Sequence, residues 1–158
     1  MKAIVFDWGD TLMRDFKEYD GPMAEWPNVE LMPGVKETLE LVSLKYSCYV
    51  ATNAGASDKD LVIKALKRVG ISSYITDVFT SRDLGFEKPS EEFFKAIVKK
   101  LDISPKRIMM VGNDYITDIE SAKKVGMKTI FIRYRDDNKV YENADTIVTS
   151  IEQIKNIL

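Results

Sequence analysis

Histidine is absent from the 158 residues, and cysteine occurs once. The first absence removes Ser-His-Asp and Cys-His catalysis and every zinc site that needs imidazole. The second removes an intramolecular disulfide and any thiolate metal cluster. Cys48 lies in the apolar run Ser47-Cys48-Tyr49-Val50-Ala51, where it reads as a small buried hydrophobe and not as a nucleophile. Long hydrophobic runs are also missing: none approaches the roughly 20 residues of a membrane helix. The opening Met1-Lys2-Ala3-Ile4-Val5-Phe6-Asp7 meets an acid after four apolar residues, which is not a secretory signal, so a cytoplasmic location is expected. A charge excess is missing too. Acids outnumber bases 25 to 23, so there is no nucleic-acid signature of the basic kind that phosphate contacts require.

What is left is a chemistry of carboxylates, lysine, hydroxyls and backbone groups, with room for a hard metal. A composition 45% apolar and 30% charged is globular. A chain of this length buries roughly 70% of its unfolded surface, enough for a core without staples. Residues 1–158 are therefore expected to form a single domain.

Short apolar runs alternate with amphipathic ones. Residues 3–6, 49–51, 78–80, 108–111, 129–132 and 146–148 read as strands. Helices are expected over 34–44; from a Ser57 cap to Arg68, with Leu61, Ala65 and Leu66 inward; from Ser90 to Lys100; over 116–125; and over 151–158. This rhythm implies α/β architecture, a doubly wound parallel sheet with helices on both faces. One stretch breaks it. Residues 12–32 carry Gly21, Pro22, Pro27, Phe16, Tyr19 and Trp26, and read as an ordered excursion whose aromatics pack.

Ligands of such sheets bind beyond the carboxyl ends of the strands. The first strand delivers Asp7, Gly9, Asp10 and Thr11 to that edge, and the second delivers Thr52 and Asn53. Lys88-Pro89 precedes the Ser90 helix, and the fourth strand runs into Gly112, Asn113 and Asp114, with Asp118 a turn later. Singly, each has a plain structural reading as a cap, a turn former or a solvated lysine. Together they form an anion-receiving pocket. Clustered carboxylates repel unless a cation joins them, and magnesium takes one or two carboxylates while leaving positions for water or phosphate. Phosphoryl transfer through an aspartyl-phosphate fits that inventory.

Four motifs in one order resemble those of the haloacid dehalogenase superfamily. Asp7-Trp8-Gly9-Asp10-Thr11 is similar to the first, Val50-Ala51-Thr52-Asn53 to the second, and Lys88-Pro89 to the third. Val111-Gly112-Asn113-Asp114 with Asp118-Ile119-Glu120-Ser121-Ala122 resembles the fourth. The resemblance implies a three-layer Rossmann-like sheet with residues 3–6 central, and a Mg²⁺-dependent phosphohydrolase. Asp7 would be nucleophile and metal ligand, Thr52 and Asn53 would bind the phosphoryl group, and Lys88 would steady its charge. Gly9 through its carbonyl, with Asn113 or Asp114, would complete the metal site, and Asp118 would support it from behind.

Two positions depart from the pattern. Where the superfamily usually carries its proton-transfer acid, two residues past the nucleophile, this chain has Gly9. Loss of such a group costs about 10²–10⁴ in rate. Asp10, one residue on, is the expected replacement if a tight turn swings it inward; its other reading is a turn carboxylate bonding nearby N–H groups. The second departure is Asn113, a neutral amide where many members place an aspartate. Members lacking the second acid include haloacid dehalogenases and phosphonoacetaldehyde hydrolases, but those carry a sizeable cap. Residues 12–32 offer only a short flap. An open site would suit a large phosphorylated substrate, or a second copy of the chain acting as lid, with Tyr19 and Trp26 as a small rim. The alternatives are a non-catalytic phosphate-binding or interaction module and a 2-haloacid dehalogenase-type hydrolase.

Overall fold

A computed structural model of the chain describes residues 1–53 and 55–158. Among them, six strands build one sheet: β1 (Ala3–Phe6), β2 (Ser47–Thr52), β3 (Asp77–Thr80), β4 (Ile108–Gly112), β5 (Lys128–Ile132) and β6 (Thr146–Val148). Every neighbouring pair is parallel, in the order β3-β2-β1-β4-β5-β6. Parallel neighbours cannot be joined by a tight turn, so each crossover must pass over a face of the sheet. The chain moves outward from β1 to β3, then returns to place β4 on the other side of β1. That reversal opens a crevice beyond the end of β1.

Alternation along β1 divides the core. Ile4 and Phe6 face one apolar cluster with Leu39, Val42, Val62 and Leu66, while Ala3 and Val5 face another with Phe93, Phe94 and Ile97. Leu39 and Val42 belong to helix α1 (Val35–Val42), and Val62 and Leu66 to α2 (Lys59–Arg68). After β3 come a short α3 (Ser81–Leu84) and then α4 (Glu91–Leu101), which supplies the three residues of the second face. The sheet is thus covered on both sides, the three-layer α/β arrangement expected from sequence. Phe6, Phe93 and Phe94 are fully buried; each such ring contributes about 1.5–3 kcal/mol relative to exposure.

Local differences from expectation have local causes. Helix α2 is capped by Asp58, whose carboxylate accepts from Leu61 N–H at 3.0 Å, one residue past the expected Ser57. That shift turns Val62 inward and leaves Leu61 half-buried. Ser90 caps α4 as expected, accepting from Phe93 N–H. The segment after β4 begins as a wide π-type turn (Tyr115–Glu120) and only then becomes α5 (Ser121–Lys124). The last segment, Ile151–Asn156, is 3₁₀, held by buried Ile151 and Ile154. No helix of the described residues is long and apolar enough to cross a membrane.

The excursion over residues 12–32 is closed at its base. Met32 N–H donates to Leu12 carbonyl and Arg14 N–H to Glu30 carbonyl, at 2.9 and 2.8 Å. Inside it, Phe16, Tyr19 and Trp26 stack in series with ring centroids 5.6 and 5.5 Å apart. Arg68 of α2 donates to the carbonyls of Ala24 and Trp26 at 3.0 and 2.7 Å. The excursion is therefore docked on α2 by buried Trp26, with Phe16 and Tyr19 packed half-buried behind it, and by a cationic clamp.

Candidate active site

Asp7 is the first residue past β1, yet its N–H still donates to Val111 carbonyl at 2.9 Å, so the sheet fixes its backbone. Lys88 reaches it from the loop between α3 and α4. The ammonium donates to Asp7 Oδ1 at 2.7 Å, to Asp118 Oδ1 at 2.7 Å and to Ala51 carbonyl at 3.1 Å. Three acceptors use all three N–H bonds. Asp118 descends from the π-type turn, and its Oδ2 accepts from Asp114 N–H at 3.2 Å. Asp7, Lys88 and Asp118 are 9%, 4% and 1% exposed, so this is a buried ionic floor. Burial alone would lower the Lys88 pKa, but the two carboxylates outweigh it and hold the ammonium above its ordinary range. For Asp118, burial and then the charge of Asp7 push the carboxyl upward against the pull of Lys88. Two carboxylates share one ammonium in this floor, a shortage of positive charge that a bound cation would relieve.

Gly112 is required for this packing. A Cβ there would stand 2.3 Å from Asp118 Oδ2 and 2.6 Å from its Cβ, closer than atoms can approach. Asp118 lies directly over the end of β4 because that strand ends without a side chain.

The other oxygen of Asp7 faces a different set. Thr11 Oγ1 lies 3.0 Å from Asp7 Oδ2 and 3.0 Å from the Asn113 amide. The same amide end is 3.1 Å from Asp7 Oδ2 and 3.1 Å from Gly9 carbonyl. With its NH₂ turned inward, Asn113 donates to these oxygens. With its oxygen inward, three oxygens face one another, an arrangement that needs a cation among them. The 3.1 Å spacing is near the edge, about 2.9 Å, of an octahedron with magnesium-length bonds. Asp7, Gly9 carbonyl and Asn113 thus fit a hard divalent ion. Among the described residues no three carboxylates or thiols gather into a metal cluster, so a cation held here would take one acid, one amide and one carbonyl.

The other expected residues line the same cleft with partners of their own. Asp114 does not join the oxygen set; its Oδ1 accepts from Thr117 N–H at 2.9 Å and caps the π-type turn. Of the pair proposed from sequence, Asn113 is the one turned toward Asp7. The Asn53 side chain is a clamp on Lys88. Its amide donates to Lys88 carbonyl at 2.8 Å and accepts from Lys88 N–H at 2.7 Å. This departs from the expectation that the amide serves a phosphate, because the loop carrying Lys88 needs both bonds to reach the floor. Thr52 is buried at the end of β2 and lines the cleft above Asp7. Asp10 is in the left-handed region, with φ 56°, and its Oδ1 accepts from Asp15 N–H at 2.9 Å. The turn is real, but this carboxylate oxygen is bonded to backbone within it. That bond is the turn reading of Asp10, which still lines the cleft with the rest of its side chain.

Above the floor opens a cleft of about 460 Å³. The excursion forms one wall with Asp15, Lys17, Met23 and Trp26, while Tyr19 packs behind Trp26 and does not line it. Thr11, which the sequence places at this edge, bonds Asp7 directly. Sequence reasoning missed Asp15 as a site residue; nothing in the one-dimensional pattern distinguishes it from other surface acids.

Residues 4–132 match the family model for haloacid dehalogenase-like hydrolases. The chain belongs to that family. This haloacid dehalogenase-like chain is 31% identical over 122 residues to ribulose-1,5-bisphosphate 5-phosphatase of Halopiger xanaduensis, covering 77% of the chain and 50% of that protein. It is 30% identical over 148 residues to glyceraldehyde 3-phosphate phosphatase of Methanothermobacter thermautotrophicus, covering 86% of the chain and 64% of the relative. It therefore spans about half to two thirds of the length of these curated relatives. An uncharacterized protein from Listeria monocytogenes serotype 4b has the same fold, with a TM-score of 0.86, 24% identity, and coverage of 99% and 96% of the two chains. In this haloacid dehalogenase-like frame, the four motifs identified in the sequence converge on the one edge where β1 and β4 end.

Proposed function

We propose that the protein is a magnesium-dependent phosphate monoester hydrolase that works through an aspartyl-phosphate on Asp7. The observation that carries this reading is the Asp7–Lys88–Asp118 floor beneath an open cleft. Asp7 accepts from Lys88 with one oxygen and has one face toward the cleft, as a carboxylate nucleophile requires. Lys88 also stabilises charge on the transferring phosphoryl group. Thr52 binds its oxygens, with the Asn53 main chain beside it. Asp7, Gly9 carbonyl and Asn113 would hold magnesium, which when bound neutralises the phosphoryl oxygens. Water then attacks the phosphorus and returns Asp7 as carboxylate. The curated relatives are named for phosphate esters, ribulose-1,5-bisphosphate and glyceraldehyde 3-phosphate, which supports the same bond class here.

Residues 12–32 act as a minimal flap over this domain, and the cleft stays open beside Trp26, so a phosphate on a large molecule has access to Asp7. The test is hydrolysis of p-nitrophenyl phosphate by wild type and Asp7→Asn, each with magnesium and with EDTA. Turnover by wild type with magnesium only, and none by Asp7→Asn, is expected. Metal-independent turnover of a 2-haloacid would overturn the reading. So would retained magnesium and phosphate-analogue binding with no turnover across a broad phosphate panel.

A further inference from the structure

Gly9 leaves the site without a carboxylate two residues past Asp7, and the structure shows which carboxylate stands beside that position. A Cβ built on Gly9 would meet Asp15 and nothing nearer: Asp15 Cβ at 3.6 Å, Oδ2 at 3.6 Å and Cγ at 3.8 Å. These are ordinary van der Waals distances. The Asp15 side chain thus stands directly beside position 9, in contact with the Cβ that a side chain there would carry, and it lines the same cleft as Asp7 and Lys88. We propose that Asp15, brought in from the excursion, is the catalytic proton-transfer carboxylate of this enzyme. The inference rests on the phosphatase reading above.

The backbone holds Asp15 in place. Leu12 and Met13 N–H both donate to Trp8 carbonyl at 3.0 Å, folding the chain back just past Asp7. Asp10 N–H donates to Met13 carbonyl at 2.6 Å, and Asp10 Oδ1 accepts from Asp15 N–H. Tyr134, from the far side of β5, donates its hydroxyl to Asp10 carbonyl at 2.5 Å. Asp10 is therefore a positioning residue, and the carboxylate it positions belongs to Asp15. Lys17 Nζ pairs with Asp15 Oδ2 at 2.5 Å, with side chains 79% and 34% exposed. An exposed pair of this kind is held weakly, so Lys17 yields to an incoming ester.

The two steps balance. When an Asp7 oxygen bonds to phosphorus, the ester P–O bond breaks and its electron pair stays on the departing oxygen. The Asp15 carboxyl gives that oxygen its proton, and the alcohol leaves. In the second step the Asp15 carboxylate takes a proton from water as the water oxygen bonds to phosphorus. The Asp7–phosphate bond breaks, inorganic phosphate leaves, and Asp15 is again protonated.

A general acid matters only when the leaving group needs a proton, which separates this role from a structural one. Wild type and Asp15→Asn are compared on an alkyl phosphate and on 2,4-dinitrophenyl phosphate. With the alkyl ester, kcat of Asp15→Asn should fall about 10²–10⁴-fold. With the dinitrophenyl ester, one equivalent of dinitrophenolate per site should still appear in a burst, followed by a stall because water activation is lost. Gly9 is not in the left-handed region, so a second variant is open: Gly9→Asp with Asp15→Ala should recover at least tenfold of the alkyl-ester loss. Absence of the dinitrophenolate burst in Asp15→Asn with no rescue by Gly9→Asp, or wild-type behaviour of Asp15→Asn, overturns the proposal while the phosphatase reading stands. Absence of any wild-type turnover of either ester overturns the phosphatase reading and this inference together.

Discussion

The floor of the cleft and its wall are built from different materials. Asp7, Lys88 and Asp118 are nearly sealed from solvent, and the Lys88 ammonium joins them, 2.7 Å from each carboxylate. The excursion that forms the wall offers Asp15 and Lys17 on side chains a third and more exposed. Its own stability comes from packed rings, with Trp26 buried, and from the Arg68 clamp. Preorganised charge belongs in the floor, where a dry setting makes each interaction strong. Groups that must exchange protons with water, or make room for different leaving groups, belong in the wall. Changes to the floor should therefore abolish chemistry or stability outright, and changes to the wall should be graded.

The harshest challenge to this contrast is Asp7→Asn. It removes the nucleophilic charge while keeping shape, and steady-state phosphatase assays should show a loss on the order of 10⁴-fold or more. Next comes Lys88→Met, which strands two carboxylates in a buried floor. Removing one partner of a buried ion pair costs about 3–5 kcal/mol, so calorimetry should find the melting temperature lower by roughly 6–20 °C. If Lys88→Met melts like wild type, the floor is not the ionic unit described here. A milder change sharpens the metal assignment. Asn113→Asp adds charge to the oxygen set, and titration calorimetry should show magnesium bound about tenfold more tightly; Asp114→Asn should leave that affinity nearly unchanged. The smallest effect is expected at the wall's support. Tyr134→Phe removes one hydrogen bond to Asp10 carbonyl, worth about 1 kcal/mol, and should lower the melting temperature by roughly 2–4 °C.

Much of the floor was readable in the chain. Apolar runs ending in Asp7, Thr52 and Asn113 announce strands that carry polar groups at one end, because parallel strands buried on both faces have little other place for them. Lys88 was readable through its place before the Ser90 cap. The roles of neighbouring residues were not. Asn113 and Asp114 are adjacent acceptors, and only the wide turn after β4 decides that one faces Asp7 while the other caps Thr117 N–H. Asn53 looked like a phosphate donor, but its partner lies 35 positions away. Asp10 reads as a replacement acid, and its left-handed backbone and its bond to Asp15 are visible only in the structure.

Local pattern alone determined the parallel α/β class, the order of the motifs and the chemistry available to a chain without histidine. These follow from periodicity and from residue types, which are properties of neighbours in sequence. The tertiary structure decided which carboxylate stands beside Gly9 and how one lysine is divided between two acids. Those outcomes depend on distances of a few ångström between residues far apart along the chain, set by packing on a sheet and a docked excursion that no linear spacing encodes.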